Sequence, residues 1–523
     1  MRLGRFAPGR GHPPGASRAG RRAAAGAPRI GGSVLHVATA IGLVYVLLAG
    51  TLSYWQVVQA DGLTINPGNP LIQAAQETTL PGEILDANGT VLAKSVQLSN
   101  GTQLREYLDD PSLGPLLGYR SSLYGTAGLE AADDATLVGL AGQSESDLLL
   151  RKLQFKPYQP QDLVLGIDER LQSYTERLMA GRRGAVVAID PATGQILDMV
   201  SSPGFDPNAI ANPATAQAAF AKLSHDSASP LLDRATQGLF VPGSVFKLVT
   251  SIAALGSGTI TPQTTYPDQP AEERTGFLVD GYRVIDGHHL FTGNIALDYT
   301  QAIEVSCNIY FAHVGLALGG AKLVQWADKL GFGAPLPFDL PTAVSQVTSG
   351  GGPLPGGFKD RVELANAAYG QAEVLVTPLQ MALVAAAIAN GGALMQPRLV
   401  IATRDQNGTE HPIPPRQWQD VIDPGTAAVI ANAMQQAISS AWGAPFAGLG
   451  KVPGVPTAGK TGTAQLGGSG EPHSWFVGFA PVNGAKIAVA VLLERAGSGA
   501  TEAAPLASKV MAEYLSLQHP SGS

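Results

Sequence analysis

Three stretches of the chain are almost wholly apolar, and each predicts a helix that is buried or embedded in a membrane. Residues 30–58 contain no Asp, Glu, Lys or Arg, and about 20 such residues suffice to cross roughly 30 Å of hydrocarbon. Residues 238–256 and 377–392 are shorter apolar runs. The last of them ends in Asn-Gly-Gly, which is typical of a helix stop, so we expect a buried helix there.

Periodic patterns predict the elements around these runs. Residues 168–181, DERLQSYTERLMAG, indicate an amphipathic helix with Asp168 as its N-cap. The β-rich runs GAVVAID and QILDMVSS, joined by PATG, indicate a hairpin. Near the C-terminus, KTGTAQL, HSWFVGFAP and KIAVAVLLE indicate successive antiparallel strands, and AAPLASKVMAEYLSL indicates a last helix. Because residues 209–340 read as mainly helical, the order predicts an α/β fold with a central antiparallel sheet flanked by helices.

Composition divides the chain into four predicted segments. Residues 1–29 form a basic tail, and residues 30–58 form a transmembrane helix. Residues 59–159 alternate turn-rich clusters such as NPGNP with short apolar runs, which predicts a small α+β domain. Residues 160–523 hold the sheet and helices of the large domain.

The distribution of charge gives the predicted membrane helix a direction. The net charge is −7, yet the first 30 residues carry seven arginines and no acidic residue. Arginines flanking a membrane helix mark its cytoplasmic end, so the tail is expected in the cytoplasm and the rest of the chain outside it. A cleaved signal peptide is the alternative, but its apolar core would be about 7 to 15 residues long. The acidic outer part argues against nucleic acid as a partner.

Cysteine and histidine usage limits the other kinds of site. The single cysteine, Cys307, excludes an intrachain disulfide. Nine histidines are scattered without the spacing of metal ligands. We therefore expect neither a metal site nor a bound cofactor.

The apolar run at residues 238–256 carries the first candidate chemistry. Ser244 follows Pro-Gly, and Lys247 stands three residues later, a spacing that places both side chains on one helix face. A lysine among apolar neighbours loses hydration, which lowers its pKa and lets it act as a base for the serine hydroxyl. A capping serine beside a solvent-reaching lysine is the commoner meaning of an isolated Ser-x-x-Lys. The motif therefore needs further support.

Two further motifs supply that support. Ser306, Cys307 and Asn308 form a Ser-x-Asn sequence, and Lys460 begins the sequence Lys-Thr-Gly-Thr. Each of the three motifs occurs once, in this order, which is the set found in penicillin-binding proteins and class A β-lactamases.

With these motifs the chain resembles the transpeptidase domain of the penicillin-binding proteins. The resemblance extends to RATQGLFVPGSVFK, SCNIYFAHVGLALG, YGQAEVLVTPLQMALVAAAIANGG and HSWFVGFAP, and covers roughly residues 160–516. GEILDANGTVLAKS and GTAGLEAADDATLVG resemble the N-terminal pedestal of the monofunctional, class B members. The likeness is nearest to the actinobacterial penicillin-binding protein A group. It implies a penicillin-binding/β-lactamase-like fold for residues 160–523, a pedestal at residues 59–159 and one transmembrane helix.

The resemblance implies acyl transfer in two steps, which cross-links peptidoglycan. Ser244 would attack the carbonyl of a D-Ala-D-Ala stem peptide and expel the last D-alanine, and an amine of a second strand would then take the acyl group. Lys247 would be the base for acylation. Ser306 would pass the proton to the departing amine, and Asn308 would hold the peptide amide and the lysine.

The strand that begins at Lys460 would complete the implied site. Lys460 would tune the charge of the network, while Thr461 and Thr463 would bind the substrate carboxylate. Gly462 lacks a side chain, which lets the substrate backbone approach closely. The backbone N–H groups of Ser244 and Thr463 would form the oxyanion hole.

Other residues near the motifs are weaker candidates, and a packing role competes with a functional one for each. Cys307 reads as a small buried filler rather than a reactive thiol. The remaining candidates are His473 and Trp475 bordering the cleft, Gln371 touching the site, and the pair Glu363 and Asn366, whose spacing of three differs from the β-lactamase pattern.

Related activities and partners stay open at this point. A D,D-carboxypeptidase differs only in its acceptor, water, and a β-lactam sensor would be acylated without turnover. A β-lactamase is disfavoured by the pedestal and by the absence of a deacylating glutamate. The resemblance implies stem peptides on lipid II-derived strands as substrate, β-lactam antibiotics as ligands, and a SEDS-family glycan polymerase as partner in the bacterial cell membrane.

Overall fold

The computed structural model describes residues 30–55, 80–98, 103–143, 158–286, 295–467 and 470–518, without the side chains of residues 30–34. The predicted tail, residues 1–29, lies outside the described residues. Helix α1 (Ile30–Ser53) has 24 residues. Its segment Leu35–Ser53 has a mean hydropathy of 1.9 and is nowhere buried by protein. By length and composition, α1 can span a bilayer.

A five-stranded antiparallel sheet forms the centre of the large folded unit. Its strand order is β15-β16-β17-β7-β8. The strands are β7 (Gly184–Ile189), β8 (Ile196–Ser202), β15 (Ala458–Ala464), β16 (His473–Ala480) and β17 (Ile487–Leu493). The predicted hairpin and the three predicted C-terminal strands are therefore confirmed. They are joined in one sheet because β17 pairs with both β16 and β7.

Helices cover both faces of this sheet. Side chains alternate across a strand, so Val186 packs with one buried cluster and Val187 with the other. The first cluster lies under α5 (Glu169–Met179) and the C-terminal helix α17 (Ala503–Gln518). The second lies under α14 (Pro378–Ala389), whose residues are nearly all buried. The predicted α/β architecture is confirmed.

A second sheet of six strands has the order β13-β12-β6-β1-β2-β3. The first three strands of the chain pair antiparallel with one another as β1-β2-β3, and β1 pairs parallel with β6. The strands are β1 (Ile84–Leu85), β2 (Val91–Gln97), β3 (Gln103–Tyr107), β6 (Asp162–Leu165), β12 (Val400–Arg404) and β13 (Glu410–Pro412). This sheet therefore combines strands from both sides of the boundary that the sequence suggests at residues 159 and 160.

The other elements are short or helical. The strands are β4 (Arg120–Ser121), β5 (Gly125–Thr126), β9 (Phe277–Val279), β10 (Tyr282–Val284), β11 (Ala393–Met395) and β14 (Gln417–Asp420). The helices are α2 (Leu113–Leu117), α3 (Gly128–Ala132), α4 (Asp134–Leu137), α6 (Asn208–Ala211), α7 (Ala216–Ser224), α8 (Lys247–Gly256), α9 (Gln269–Thr275), α10 (Tyr299–Glu304), α11 (Asn308–Leu318), α12 (Gly320–Asp328), α13 (Arg361–Ala367), α15 (Pro424–Ser439) and α16 (Ala444–Ala447). In the described part of residues 209–340 the regular elements are helices apart from the hairpin β9-β10, but turns and loops occupy residues 225–242, 257–268 and 329–340, so the region is less helical than expected.

Candidate active site

The turn that carries Ser244 begins at a glycine with a left-handed backbone. Gly243 has φ 57°, and its N–H donates to the carbonyl of Gly370 at 2.9 Å. Residues Gly243–Phe246 form one 3-10 turn, and α8 begins only at Lys247. Side chains three residues apart eclipse each other in a 3-10 turn. Ser244 and Lys247 therefore share one side more closely than the α-helix expected from the sequence would place them.

A second left-handed residue presents Ser306. Its φ is 60°, a conformation that non-glycine residues adopt mainly at turns and functional sites. The residue stands between the end of α10 and the start of α11, where the Cys307 sulfur accepts the N–H of Tyr310 at 3.1 Å. This cap starts α11 directly after the turn and brings Asn308 to the same side as Ser306.

The motif side chains meet around the Ser306 hydroxyl. The amine of Lys460 lies 2.7 Å from Ser306 Oγ, and the amine of Lys247 lies 3.2 Å from the same atom. Lys247 Nζ also donates to Asn308 Oδ1 at 2.8 Å and to the Ser306 carbonyl. Residues from three separate motifs thus form one hydrogen-bonded network.

Strand β15 contributes Lys460 from the free edge of the central sheet. Strict alternation would point Lys460 away from the hydroxyls of Thr461 and Thr463. The long lysine side chain reaches past the edge instead, since its amine contacts both Ser306 Oγ and the Thr461 carbonyl, the latter at 3.1 Å. Thr461 Oγ1 donates to the Phe446 carbonyl at 3.0 Å.

A cavity of about 200 Å³ lies between these elements. Ser244 and Ser306 both line it, which places the two hydroxyls at one surface. Of the described residues, the lining comprises Ser244, Asp286, Val305, Ser306, Asn308, Phe446, Thr461, Thr463, Ser498 and Ala500. Within the described chain, the Ser244 hydroxyl makes no side-chain hydrogen bond, so it is available to a molecule in the cavity.

Burial sets the charge of the two lysines. Lys247 is fully buried, and loss of hydration lowers its pKa to about 8, although Asp286, Cys307 and Glu273 oppose the change. Lys460 is also buried, and its pKa is lowered well below the usual value by burial and by the charge of Lys247. An amine in this range loses its proton near neutral pH and can act as a base.

Gly462 keeps the edge strand close to the turn that carries Ser244. A Cβ added there would lie 2.7 Å from the Pro242 carbonyl oxygen and 3.2 Å from Val245 Cγ1. The glycine is therefore required for the approach of β15 to that turn. Gly462 itself pairs with Trp475 of β16.

Several weaker sequence candidates pack outside the cavity. Trp475 is fully buried and donates its ring N–H to the Val241 carbonyl at 2.9 Å. His473 Nδ1 accepts the backbone N–H of Arg495 at 3.1 Å. Gln371 does not line the cavity; its neighbour Gly370 supports the Ser244 turn through its backbone.

The remaining sequence candidates also have packing roles. Glu363 binds the Thr348 hydroxyl at 2.7 Å and the Lys359 N–H at 2.6 Å, which ties a loop to the start of α13. Asn366 donates to the Val362 carbonyl at 2.7 Å. Cys307 is fully buried and burial raises its pKa, which fits the interpretation as a buried filler.

Five lining residues escaped the sequence analysis: Asp286, Val305, Phe446, Ser498 and Ala500. Val305 directly precedes Ser306, so adjacency to a motif could have identified it. Ser498 and Ala500 lie in the glycine-rich turn after β17, which is a weak signal. Asp286 follows a strand of only three residues and belongs to no motif.

One group of side chains has the composition of a metal site. The ligand atoms of Glu273, Asp286 and Cys307 lie within 4.8 Å of one another. The Cys307 thiol already donates to Glu273 Oε1 at 3.3 Å and accepts from Gln269 at 3.4 Å. Burial raises the pKa of this thiol, so the sulfur acts as a protonated hydrogen-bonding group in these contacts.

Family models match two parts of the chain. The model described as the penicillin binding protein transpeptidase domain matches residues 184–512. The model described as the penicillin binding protein A dimerisation domain matches residues 81–156.

Similar proteins and structures agree with these matches. The chain is 35% identical to the peptidoglycan D,D-transpeptidase PbpA of Mycolicibacterium smegmatis, over 92% of this chain and 99% of that protein. A ceftriaxone acyl-enzyme complex of penicillin-binding protein A from M. tuberculosis superimposes with a TM-score of 0.73 at 31% identity, covering 83% of this chain and 98% of that one. A crystal structure of Pseudomonas aeruginosa PBP2 superimposes with a TM-score of 0.70 at 29% identity, covering 84% of this chain and 95% of that one.

The extent of these similarities exceeds what three short motifs could produce by chance. They run through both the large domain and the segment before it. The chain belongs to the penicillin-binding protein transpeptidase family, among the class B peptidoglycan D,D-transpeptidases.

Proposed function

We propose that this chain cross-links peptidoglycan through an acyl-enzyme on Ser244. The observation that carries the proposal is the contact of both Lys247 and Lys460 with Ser306 Oγ, beside the cavity that Ser244 lines. A serine hydroxyl needs a nearby base to become a nucleophile. Lys247, which follows the Ser244 turn three residues later and is partly neutral near pH 7, is that base.

In the first step, Ser244 Oγ attacks the carbonyl of the D-Ala-D-Ala bond and gives its proton to Lys247. The C–N bond breaks, an ester forms on Ser244, and D-alanine leaves. Its nitrogen gains a proton through Ser306, which contacts both lysines. In the second step, the amine of another strand attacks the ester, a new amide forms, and Ser244 regains its proton.

The other predicted residues hold the substrate in place. Asn308 binds Lys247 and orients the amide of the stem peptide. Thr463 lines the cavity and accepts the Gly499 N–H at 3.2 Å, so its O–H can donate to the terminal carboxylate. Thr461 also lines the cavity, and its hydroxyl would bind the carboxylate after releasing the Phe446 carbonyl. Backbone N–H groups of Ser244 and Thr463 stabilise the oxyanion, and each such donor contributes about 10²- to 10³-fold in rate.

The same chemistry predicts acylation by β-lactams, since their strained amide is attacked in place of D-Ala-D-Ala. Fluorescent penicillin labelling of wild type and Ser244→Ala, followed by mass spectrometry of the labelled peptide, tests the nucleophile. We expect a label on Ser244 and none in the variant. Ser257→Ala is the matched control and should label normally, because Ser257 caps the far end of α8, the helix that follows the Ser244 turn. A label on another residue would contradict the assignment.

The two alternatives, a D,D-carboxypeptidase and a β-lactam sensor, can be distinguished from a transpeptidase by the products that form. Lipid II-derived strands and a glycan polymerase are incubated with the enzyme, and the muropeptides are analysed. Cross-linked dimers support transpeptidation, whereas stem peptides that have lost only the last D-alanine, without dimers, indicate a D,D-carboxypeptidase. Acylation with no peptide product at all would indicate a β-lactam sensor.

We propose that α1 anchors the chain in the cell membrane with the catalytic part outside the cytoplasm. Support comes from its 24 residues and from the arginines before it. Protease added to intact spheroplasts should digest the large domain, with a cytoplasmic protein as the control. If the large domain were digested only after lysis of the spheroplasts, it would lie in the cytoplasm, and the proposed topology would be wrong.

A monofunctional cross-linker needs newly made glycan strands, so we propose a SEDS-family glycan polymerase as partner. The contact would involve the anchor and the pedestal, residues 30–58 and 59–159. Replacing residues 30–58 with an unrelated membrane span should reduce co-purification with the polymerase. Binding that survives both this replacement and removal of the pedestal would exclude the partnership.

A further inference from the structure

Asp286 ends the β9-β10 hairpin at the wall of the active-site cavity. Its Oδ2 accepts the N–H of Ile309 at 3.3 Å, in the first turn of α11. The preceding carbonyl, that of Ile285, accepts from Asn308 Nδ2 at 3.4 Å. Two consecutive residues of the hairpin therefore hold the beginning of the helix that carries Asn308.

These contacts decide which end of the Asn308 amide faces Lys247. An amide side chain has one acceptor and one donor end. Because Nδ2 points to the Ile285 carbonyl, Oδ1 points to Lys247 Nζ, 2.8 Å away. The Ile285 carbonyl, just after β10, thereby keeps Asn308 Oδ1 in place as a hydrogen-bond acceptor for the Lys247 amine.

The same position has an electrostatic consequence. Lys247 and Lys460 are both buried and both contact Ser306 Oγ, so two ammonium charges there would repel strongly. The ionisable groups facing Lys247 are Asp286 and Glu273, the Cys307 thiol and Lys460. Asp286 acts on both lysines, whereas Glu273 acts on Lys247 and hydrogen-bonds to Cys307.

We propose that Asp286 is a positioning residue that supplies the counter-charge of the Lys247 and Lys460 pair and holds the first turn of α11, the helix that carries Asn308. The carboxylate does not touch the reacting atoms. It keeps one proton on the lysine pair, so that one amine can act as base while the other stays charged. This inference rests on the proposed function, because it assigns the pair its catalytic task.

The test is the pH profile of acylation by fluorescent penicillin in Asp286→Asn. A carboxylate within about 4–6 Å raises the pKa of an amine by about one unit or more. Removing the charge should therefore move both limbs of the profile to lower pH by about one unit. The acid-limb rate relative to the plateau should rise about tenfold at a fixed pH.

Two variants control for charge and for general disturbance of the hairpin. Asp286→Glu keeps the negative charge. The acid and alkaline limbs of its pH profile should therefore lie at the same pH as those of wild type, even if the maximal acylation rate differs. Asp280→Asn changes a carboxylate in the turn of the same hairpin, which pairs with Arg361 at 3.2 Å. Its profile should coincide with that of wild type.

A merely structural role would lower the amplitude without moving the limbs, and that result in Asp286→Asn would overturn the inference. An equal shift in Asp280→Asn would overturn it too. If Asp286→Asn does not fold, Asp286→Ser replaces it. Failure of both while Asp286→Glu folds would assign the carboxylate to stability instead. Labelling of Ser244→Ala would refute the proposed function itself, independently of these profiles.

Discussion

At the scale of single residues, the proposed acyl transfer depends on the protonation of two buried lysines, Lys247 and Lys460. Burial lowers the pKa of Lys247 to about 8 and that of Lys460 well below its usual value. Because both amines contact Ser306 Oγ, their titrations are coupled, and the observed pKa values belong to the pair. The rate of acylation should therefore rise with pH through the range just below 8, as the base loses its proton.

Lys247→Met tests the role of this base. Methionine keeps an unbranched, apolar side chain but cannot accept a proton, and a general base typically contributes about 10²- to 10⁴-fold. We expect penicillin acylation to fall by that factor with the fold intact by circular dichroism. Lys486→Met, an exposed position, is the matched control. Acylation within threefold of wild type would mean that another group accepts the Ser244 proton.

Asp198 lies outside the active site and should make the free energy of unfolding depend on pH. It is fully buried in β8, its Oδ2 accepts from the Thr175 hydroxyl at 2.6 Å, and its Oδ1 has no hydrogen-bond partner. Burial raises its pKa to about 8. The folded protein therefore holds a proton that the unfolded chain releases near pH 4, and stability falls as pH rises from about 4 to 8.

Asp198→Asn should remove this loss, because the amide is neutral at every pH. The free energy of unfolding of wild type should decline by up to about 1.4 kcal/mol per pH unit in this window relative to the variant. Thermal unfolding at pH 5 and pH 8 measures the difference. Glu410→Gln, an exposed carboxylate, should leave the pH dependence unchanged. Parallel curves for wild type and Asp198→Asn would show that Asp198 is ionised in the fold.

Motif spacing identified the residues of the hydrogen-bonded network but missed Asp286, a carboxylate that lines the same cavity. Ser244, Ser306 and Lys460 belong to short patterns that the sequence displays directly. Asp286 belongs to none, and it reaches the cavity only because the β9-β10 hairpin ends beside α11. Such proximity between distant segments depends on tertiary packing, which no local pattern records.

At the scale of elements, the active site depends on how closely strand β15 approaches the Ser244 turn. A Cβ at Gly462 would lie 2.7 Å from the Pro242 carbonyl oxygen and 3.1 Å from Trp475 Cβ, and both neighbours are held by packing. The long strands and helices were predictable because their apolar periodicity extends over six residues or more. The hairpin β9-β10 has three residues in each strand, too few for a periodic signal.

Gly462→Ala should therefore displace β15 from the turn and separate Lys460 from Ser306. We expect acylation to fall at least about tenfold, since misplacement by 1 Å can cost about a hundredfold. Rate constants for penicillin acylation measure the effect. Gly425→Ala is the control, because a Cβ there would meet only the Asp423 side chain, at 3.1 Å. Normal acylation in Gly462→Ala would show that the edge strand tolerates displacement.

At the scale of the whole molecule, residues 80–143 share a hydrophobic core and a sheet with the catalytic part. Strand β1 pairs parallel with β6, and Arg404 forms an ion pair with Glu83 at 3.4 Å. The side chain of Asn208 bonds both the N–H and the carbonyl of Tyr107, at 2.9 and 3.1 Å. Composition suggests a boundary near residue 159, but strand pairing across it involves residues more than 70 positions apart, beyond any local pattern.

Because of this shared sheet, the catalytic part should depend on the earlier strands for its stability. A chain of residues 80–523 should fold and bind penicillin in a 1:1 ratio, as it retains every helix and strand of the described residues except α1. A chain of residues 160–523 should lose β1, one of the two strands that pair with β6, and expose Leu163, which is fully buried. We expect it to aggregate or to be digested rapidly in limited proteolysis.

A point substitution separates this dependence from the general effects of truncation. Ile84 is fully buried where β1 meets β6, whereas Val91 on the neighbouring strand is 37% exposed. Ile84→Asp buries a charge without a partner and should lower the melting temperature and the fraction of protein that penicillin labels. Val91→Asp, with the same chemical change at a solvent-facing position, should have little effect on either. If residues 160–523 alone kept the wild-type melting temperature and full labelling, the pedestal strands would be dispensable for stability. Their pairing with β6 would then serve only to orient the segment that precedes the catalytic part.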